Sequence, residues 1–129
     1  KELQTLSSLP RDYNGWNTAA EIAVAPSGKF LFASNRGHNT VVSFAIDASK
    51  GTLNWVAEQN TGGKMPRHFG ILSSGNQLAI CNQDSDTVLL CHIDAGNGRL
   101  TPSGVFAEVP SPVCAVFLPA QAGKKTGDD

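Results

Sequence analysis

Short runs of Val, Ile, Leu, Phe and Ala alternate with turn-rich segments along most of the chain. Runs of this length, bounded by Gly, Pro, Asn, Asp and Ser, predict β-strands rather than helices. The first set of four strands is predicted at residues 20–25, 30–35, 40–46 and 53–59. The two tight connections PSGK (26–29) and DASKGT (47–52) have the composition of turns that join antiparallel neighbours.

The same pattern recurs 47 residues later. When residues 21–55 are placed on residues 68–102 without a gap, 11 of the 35 positions are identical. The second set of strands is therefore predicted at residues 67–72, 77–82, 87–93 and 100–109. A four-stranded unit repeated at this period is typical of a β-propeller, in which each blade packs face to face on its neighbours.

The repeat predicts an all-β fold, a β-propeller, with two complete blades at residues 19–65 and 66–111. Residues 3–7, within 1–18, are expected to be a last strand and loop of a preceding blade, and residues 112–119 a closing strand. Residues 120–129 form a polar tail. Since two blades cannot close a ring, the chain is expected to be the C-terminal part of a longer propeller. A small stand-alone β-sandwich is the alternative.

Composition excludes several classes of partner. The net charge is −1, so there is no basic surface for nucleic acid and no polybasic segment for an anionic membrane. Three cysteines without a CxxC pair fit a reducing, cytoplasmic compartment and argue against a disulfide framework. No cluster of metal-ligating residues is apparent, so neither a metal nor another cofactor is expected.

Candidate chemistry gathers at one edge of the predicted sheets. In an antiparallel meander, the start of the first strand, the end of the second and the start of the third lie at the same edge. Two repeat-equivalent pairs differ there in chemistry, Glu21 with His68 and Arg36 with Gln83, whereas scaffold positions such as Gly28 and Gly75 are the same. The candidate catalytic residues are Glu21, Arg36, Arg67 and His68, and the candidate substrate-binding residues are His38 and Gln83.

Six segments carry a family resemblance: NTAAEI (17–22), ASNRGH (33–38), TGGKMPRHF (61–69), NQDSD (82–86), GRLTP (98–102) and VPSPVC (109–114). Together they resemble the seven-bladed propeller lactonase family, which includes 6-phosphogluconolactonases of propeller type and carboxymuconate cyclases. The resemblance implies a site in the central channel, and it matches Arg36 of the SNRG segment to a catalytic-site arginine. Glu21, Arg67 and His68 are candidates by position only.

Lactone hydrolysis needs a group that deprotonates water, a stabiliser for the oxyanion and a holder for any substrate anion. A carboxylate or imidazole suits the first task, and arginine suits the other two. The resemblance therefore implies a hydrolase acting on a sugar-acid lactone, such as 6-phosphogluconolactone, whose other blades come from the same full-length protein. Alone, these 129 residues are expected to be inactive. A carboxymuconate-type cycloisomerase and a non-catalytic interaction platform are the alternatives, and Arg36 could instead be a scaffold residue paired with Asp84 or Glu21.

Overall fold

The computed structural model describes residues 1–120, which form two four-stranded antiparallel sheets. Blade 1 has the spatial order β1-β2-β3-β4, and blade 2 has the order β5-β6-β7-β8. No helix in this part of the chain is long and apolar enough to cross a membrane. The strands are β1 (Thr18–Val24), β2 (Phe30–Arg36), β3 (Thr40–Asp47), β4 (Thr52–Asn60), β5 (Pro66–Ile71), β6 (Gln77–Asn82), β7 (Thr87–Ile93) and β8 (Leu100–Glu108).

All eight strands predicted for the two repeats are present, which confirms the all-β assignment. One short 3-10 helix, Gln83–Ser85, was not predicted; it lies between β6 and β7. No strand is formed at residues 3–7 or 113–118, because neither segment has a partner strand beside it among residues 1–120. In the predicted propeller these segments would pair with strands of further blades, so the two strands remain predictions. Residues 121–129 of the predicted polar tail lie outside the described residues.

The two sheets pack face to face, with the inner strands of one beside the inner strands of the other. The inner strand β5 contacts β1 and β2, while the outer strand β8 contacts β4. The interface between them is the largest apolar cluster, and Phe32, Leu78 and Ile80 in it are fully buried. Its other large side chains are Phe30, Val41, Phe69, Leu89, Ile93 and Leu100.

Each blade is apolar on its other face as well. In β2, Phe30 and Phe32 face blade 2, whereas Leu31 and Ala33 belong to a second cluster on the opposite side. Blade 2 has its own outer cluster around Cys81. The outer faces of a two-sheet sandwich contact water and are mostly polar. A propeller blade instead buries both faces against its neighbours, so both faces are apolar. The structure therefore favours the propeller over the stand-alone sandwich.

The two blades are in close contact at the edge opposite the candidate site, where the Gly98 backbone lies against the Phe30 ring. Gly98, in the turn before β8, has φ +75°, and a Cβ there would lie 2.5 Å from Cδ1 of Phe30 in blade 1. Gly28, in the turn before β2, has φ +71° and no atom within 4 Å of the same hypothetical Cβ. The two glycines share the left-handed conformation and differ in their surroundings.

This difference generates a stability prediction. Both Gly98→Ala and Gly28→Ala place a side chain at positive φ, which costs about 1 kcal/mol. Gly98→Ala must also displace the Phe30 ring, and overpacking of this kind costs a further ~1–3 kcal/mol. Urea unfolding should therefore show a clearly larger loss of unfolding free energy for Gly98→Ala. Equal losses in the two variants would contradict the packing of the blades described here.

Candidate active site at the inner-strand edge

The start of β1 and the end of β2 lie at the same edge of blade 1. Thr18 pairs with Arg36 and Ala19 with Asn35, so the side chains that follow Ala19 are close to the end of β2. Blade 2 repeats this arrangement, with Pro66 opposite Asn82. The sheet geometry thus brings Glu21 and Arg36 to one edge, as predicted from the antiparallel order of the strands.

A β-bulge near the start of each inner strand shapes this edge. In β1 the register shifts between Ala19 and Ile22, and in β5 it shifts between Pro66 and His68. The bulge in β1 is held by the fully buried Ser34, whose Oγ accepts a hydrogen bond from the Glu21 backbone N–H at 3.0 Å. Bulges redirect side chains and occur next to active sites, and here they lie at repeat-equivalent places.

Glu21 and His68, one from each blade, are in direct contact across the blade interface. The Nε2 atom of His68 lies 3.0 Å from Oε2 of Glu21, and both side chains are largely shielded, with exposures of 21% and 28%. The other carboxylate oxygen, Oε1, accepts a hydrogen bond from the Ile22 backbone N–H at 2.9 Å. The carboxylate is therefore held by contacts at both oxygens.

Two arginines share a shallow pocket with this carboxylate. The pocket is lined by Glu21, Arg36 and Arg67, together with Ala19 and Ala20. One terminal nitrogen of Arg36 donates to the carbonyl of Ala19 at 3.1 Å. Its Nε is buried and has no hydrogen-bond partner among residues 1–120. The described residues hold neither an Arg36–Asp84 nor an Arg36–Glu21 ion pair, so the scaffold pairing considered from the sequence is not formed.

The two candidate substrate-binding residues lie outside this pocket. The Nδ1 atom of His38 is 2.9 Å from Oγ1 of Thr40 and 3.7 Å from a carboxylate oxygen of Glu58. The ring of Tyr13, from the long loop before β1, packs edge-on against that of His38 with centroids 4.4 Å apart. Gln83 begins the 3-10 helix, and its backbone N–H donates to the carbonyl of Met65. Neither residue is brought to Glu21, Arg36 and Arg67.

No group of three or more His, Cys, Asp or Glu side chains within residues 1–120 is arranged to hold a metal ion. The pocket instead holds one carboxylate and two guanidinium groups, and the His68 imidazole contacts that carboxylate from beside the pocket. Such a set can accept a proton from water and bind an anion with directed N–H donors.

Comparison with known proteins decides the family. Residues 1–117 match the model of the family described as lactonase, 7-bladed beta-propeller. The chain belongs to this family. It is 31% identical over 118 residues to a 6-phosphogluconolactonase of Bacillus subtilis, covering 92% of this chain and 34% of that protein. It is 38% identical over 97 residues to a 6-phosphogluconolactonase of Formosa agariphila, covering 69% and 28%.

Solved structures agree with this assignment to the lactonase family. The periplasmic gluconolactonase of Pseudomonas aeruginosa superposes with a TM-score of 0.80 at 31% identity, over 84% of this chain and 30% of that protein. The chain thus spans about a third of the length of the relatives that it matches. The two blades described here are a corresponding fraction of a seven-bladed lactonase propeller.

Analysis of the sequence missed one group at this edge of the lactonase blades. Cys114, which was not among the candidate residues, is exposed, and its Sγ lies 4.0 Å from Nε2 of His68. By contrast, Cys81 and Cys91 are buried, and burial raises the pKa of the Cys91 thiol to about 11. The signal was present in the sequence, since Ser111-Pro112-Val113-Cys114 repeats the register of Met65-Pro66-Arg67-His68 at a spacing of 46.

The bulge in β1 gives a testable role to Ser34. Ser34→Ala leaves the Glu21 backbone N–H without its acceptor, and an unsatisfied buried donor costs about 1–3 kcal/mol. Ser43→Ala is the matched control, because Ser43 is equally buried in the neighbouring strand β3, opposite Phe32. Urea unfolding should show the larger loss of stability for Ser34→Ala. A larger loss for Ser43→Ala would contradict the role assigned to the bulge.

Proposed function

We propose that the full-length protein hydrolyses a sugar-acid lactone, with 6-phosphogluconolactone as its substrate, and that these blades supply part of the catalytic site. The observation that carries the proposal is the pocket lined by Glu21, Arg36 and Arg67, in which the Nε of Arg36 has no protein partner within residues 1–120. Neither Arg36 nor Arg67 forms an ion pair with a carboxylate among residues 1–120, so the guanidinium groups that line the pocket are available to an anionic ligand. The names of the Bacillus and Formosa relatives support the choice of lactone.

In the proposed reaction, Glu21 acts as the general base. It takes a proton from water as the water oxygen attacks the lactone carbonyl carbon. The negative charge that develops on the carbonyl oxygen is stabilised by a guanidinium group, which remains charged at all relevant pH values. The ring C–O bond then breaks, and the proton held by Glu21 passes to the departing alkoxide. The product is the open-chain hydroxy acid, and the carboxylate of Glu21 is regenerated.

The two arginines bind different parts of the substrate in this proposal. Arg36 is anchored by the Ala19 carbonyl and is partly buried, so it suits the position beside the reacting carbonyl. Arg67 is exposed at the rim of the same pocket, where it suits a phosphate at the far end of the substrate. Binding energy from a remote anion is used to orient the reacting group. His38 and Gln83, which lie outside the pocket, are assigned only an indirect role in substrate binding.

The remaining blades of the ring are the proposed partners of the two outer faces. Ile22 and Val24 on blade 1, Phe106 on blade 2 and Val116 on the segment docked beside blade 2 are all more than half exposed. Apolar surface of this extent on both outer faces is what further blades would cover. The chain alone would then lack the rest of the channel and have little activity.

A cytoplasmic location is also part of the proposal. Three free cysteines, two of them buried, support a reducing compartment. The Pseudomonas structure is named as a periplasmic protein, so the relatives do not all favour this choice. Cell fractionation with an antibody against the protein tests it, and recovery in a periplasmic extract would contradict it.

Turnover of 6-phosphogluconolactone by the full-length protein, corrected for spontaneous hydrolysis, tests the proposed function. Arg36→Ala should lower kcat/KM by about 10²–10³-fold, as expected for loss of an oxyanion-stabilising donor. Glu21→Gln should lower kcat by about 10²–10⁴-fold, because it removes the base. Arg99→Ala is the control, since Arg99 is exposed at the opposite edge of blade 2, and it should retain the wild-type values.

Three outcomes would overturn parts of this proposal. Wild-type kcat/KM in Arg36→Ala would remove Arg36 from the mechanism. Turnover of a muconate with none of the lactone would indicate the cycloisomerase. Absence of turnover on both substrates, together with retention of a protein partner in a pull-down, would indicate the interaction platform.

A further inference from the structure

The imidazole of His68 is held between two groups of opposite hydrogen-bonding character. The backbone N–H of Ala115 lies 3.1 Å from Nδ1 and can only donate. A carboxylate oxygen of Glu21 lies 3.0 Å from Nε2 and, when ionised, can only accept. A neutral imidazole has one donor and one acceptor nitrogen. Both contacts are satisfied by a single tautomer, with the proton on Nε2.

The segment that supplies the Ala115 N–H is not part of either blade. Residues 113–118 run along the outer face of blade 2, where Ala115 and Phe117 pack against the cluster that contains Cys81. The contact is close because residue 70 of β5 is glycine: a Cβ at Gly70 would collide with the carbonyl oxygen of Ala115. Gly70 therefore permits the docking that brings the Ala115 amide to His68.

The other charged or titratable groups near His68 leave this arrangement intact. Cys114 lies on the docked segment, with Sγ 4.0 Å from Nε2. Arg67 precedes His68 in β5 and shares the pocket with Glu21 and Arg36. Glu21 is the one carboxylate within ion-pair distance of His68 among residues 1–120. The hydrogen bond from the Ala115 N–H requires an Nδ1 atom that carries no proton.

We propose that His68 is a positioning residue whose Nε2–H tautomer, imposed by the Ala115 backbone N–H, holds the Glu21 carboxylate in place, so that Glu21 is fully active only when residues 113–118 are docked. This inference rests on the proposed function, because it assumes that Glu21 is the base. It adds a coupling between the docked terminal segment and the site. The coupling passes through two hydrogen bonds of the His68 ring, one from the Ala115 N–H to Nδ1 and one from Nε2–H to Glu21.

Imidazole ¹⁵N NMR on the full-length protein tests the tautomer without any substrate. The resonances of His68 are identified by their loss in His68→Gln. The expected spectrum has a protonated Nε2 and an unprotonated Nδ1. A protonated Nδ1 in the wild-type protein would overturn the inference even if the lactone is turned over, whereas a wild-type enzyme without turnover would overturn the proposed function. The two failures are therefore distinguishable.

Two variants test the coupling to catalysis. Gly70→Ala should displace the Ala115 backbone, change the ¹⁵N pattern of His68 and lower kcat by about 10²-fold with little change in KM, since misplacement of a catalytic group by about 1 Å has this effect. Gly96→Ala is the matched control, because Gly96 lies in an exposed turn where a Cβ would meet only an Asp94 oxygen at 3.2 Å. Equal kcat values and ¹⁵N patterns in both variants would contradict the coupling.

A second pair of variants tests the positioning role of His68 even if Gly70→Ala fails to fold. His68→Gln keeps an amide N–H that can donate to Glu21, whereas His68→Phe keeps the ring volume and loses the donor. The expected kcat is close to that of the wild type for His68→Gln and about 10²-fold lower for His68→Phe. Equal activity of His68→Phe and the wild type would overturn the positioning role.

Discussion

The need to cover both faces of every sheet governs this structure. A strand such as β2 places Phe30 and Phe32 on one side and Leu31 and Ala33 on the other, so neither side can be left to water without loss of the apolar burial that stabilises the fold. One face of each blade is buried against the other blade. This face-to-face packing sets β5 beside β1 and β2, and the position of every candidate functional residue follows from it.

The candidate site lies at positions that are equivalent in the two repeats but carry different residues. Equivalent bulges at the starts of β1 and β5 present Glu21 in one blade and His68 in the next, and the packing of the blades brings the two side chains to 3.0 Å. A third equivalent position carries Cys114, close to the same imidazole. Positions such as Gly28 and Gly75 are identical in the two repeats, whereas the candidate functional residues lie where the repeats differ.

The sequence was sufficient for the strands, their order and the edge at which the charged residues gather. These features depend on local alternation and on turn residues such as Gly28 and Gly75, whose effects are short-range. The strands predicted at residues 3–7 and 113–118 remain predictions, because a strand needs a neighbouring strand for its backbone hydrogen bonds and none lies beside either segment among residues 1–120. The bulges and the contact of Ala115 with His68 were missed, since both depend on backbone geometry rather than on residue type. The surroundings of His38 could not be predicted, because its neighbours Tyr13 and Glu58 are distant in sequence.

The central claim is that Glu21 and His68, from successive blades, act as a unit. A double-mutant cycle with Glu21→Gln, His68→Phe and the double variant, measured as kcat/KM for 6-phosphogluconolactone in the full-length protein, tests it most directly. Residues in direct contact show interaction energies of about 0.5–3 kcal/mol in such cycles, whereas independent sites add to within about 0.5 kcal/mol. The account predicts that the double variant is hardly slower than Glu21→Gln alone. Additive effects of the two substitutions would contradict it.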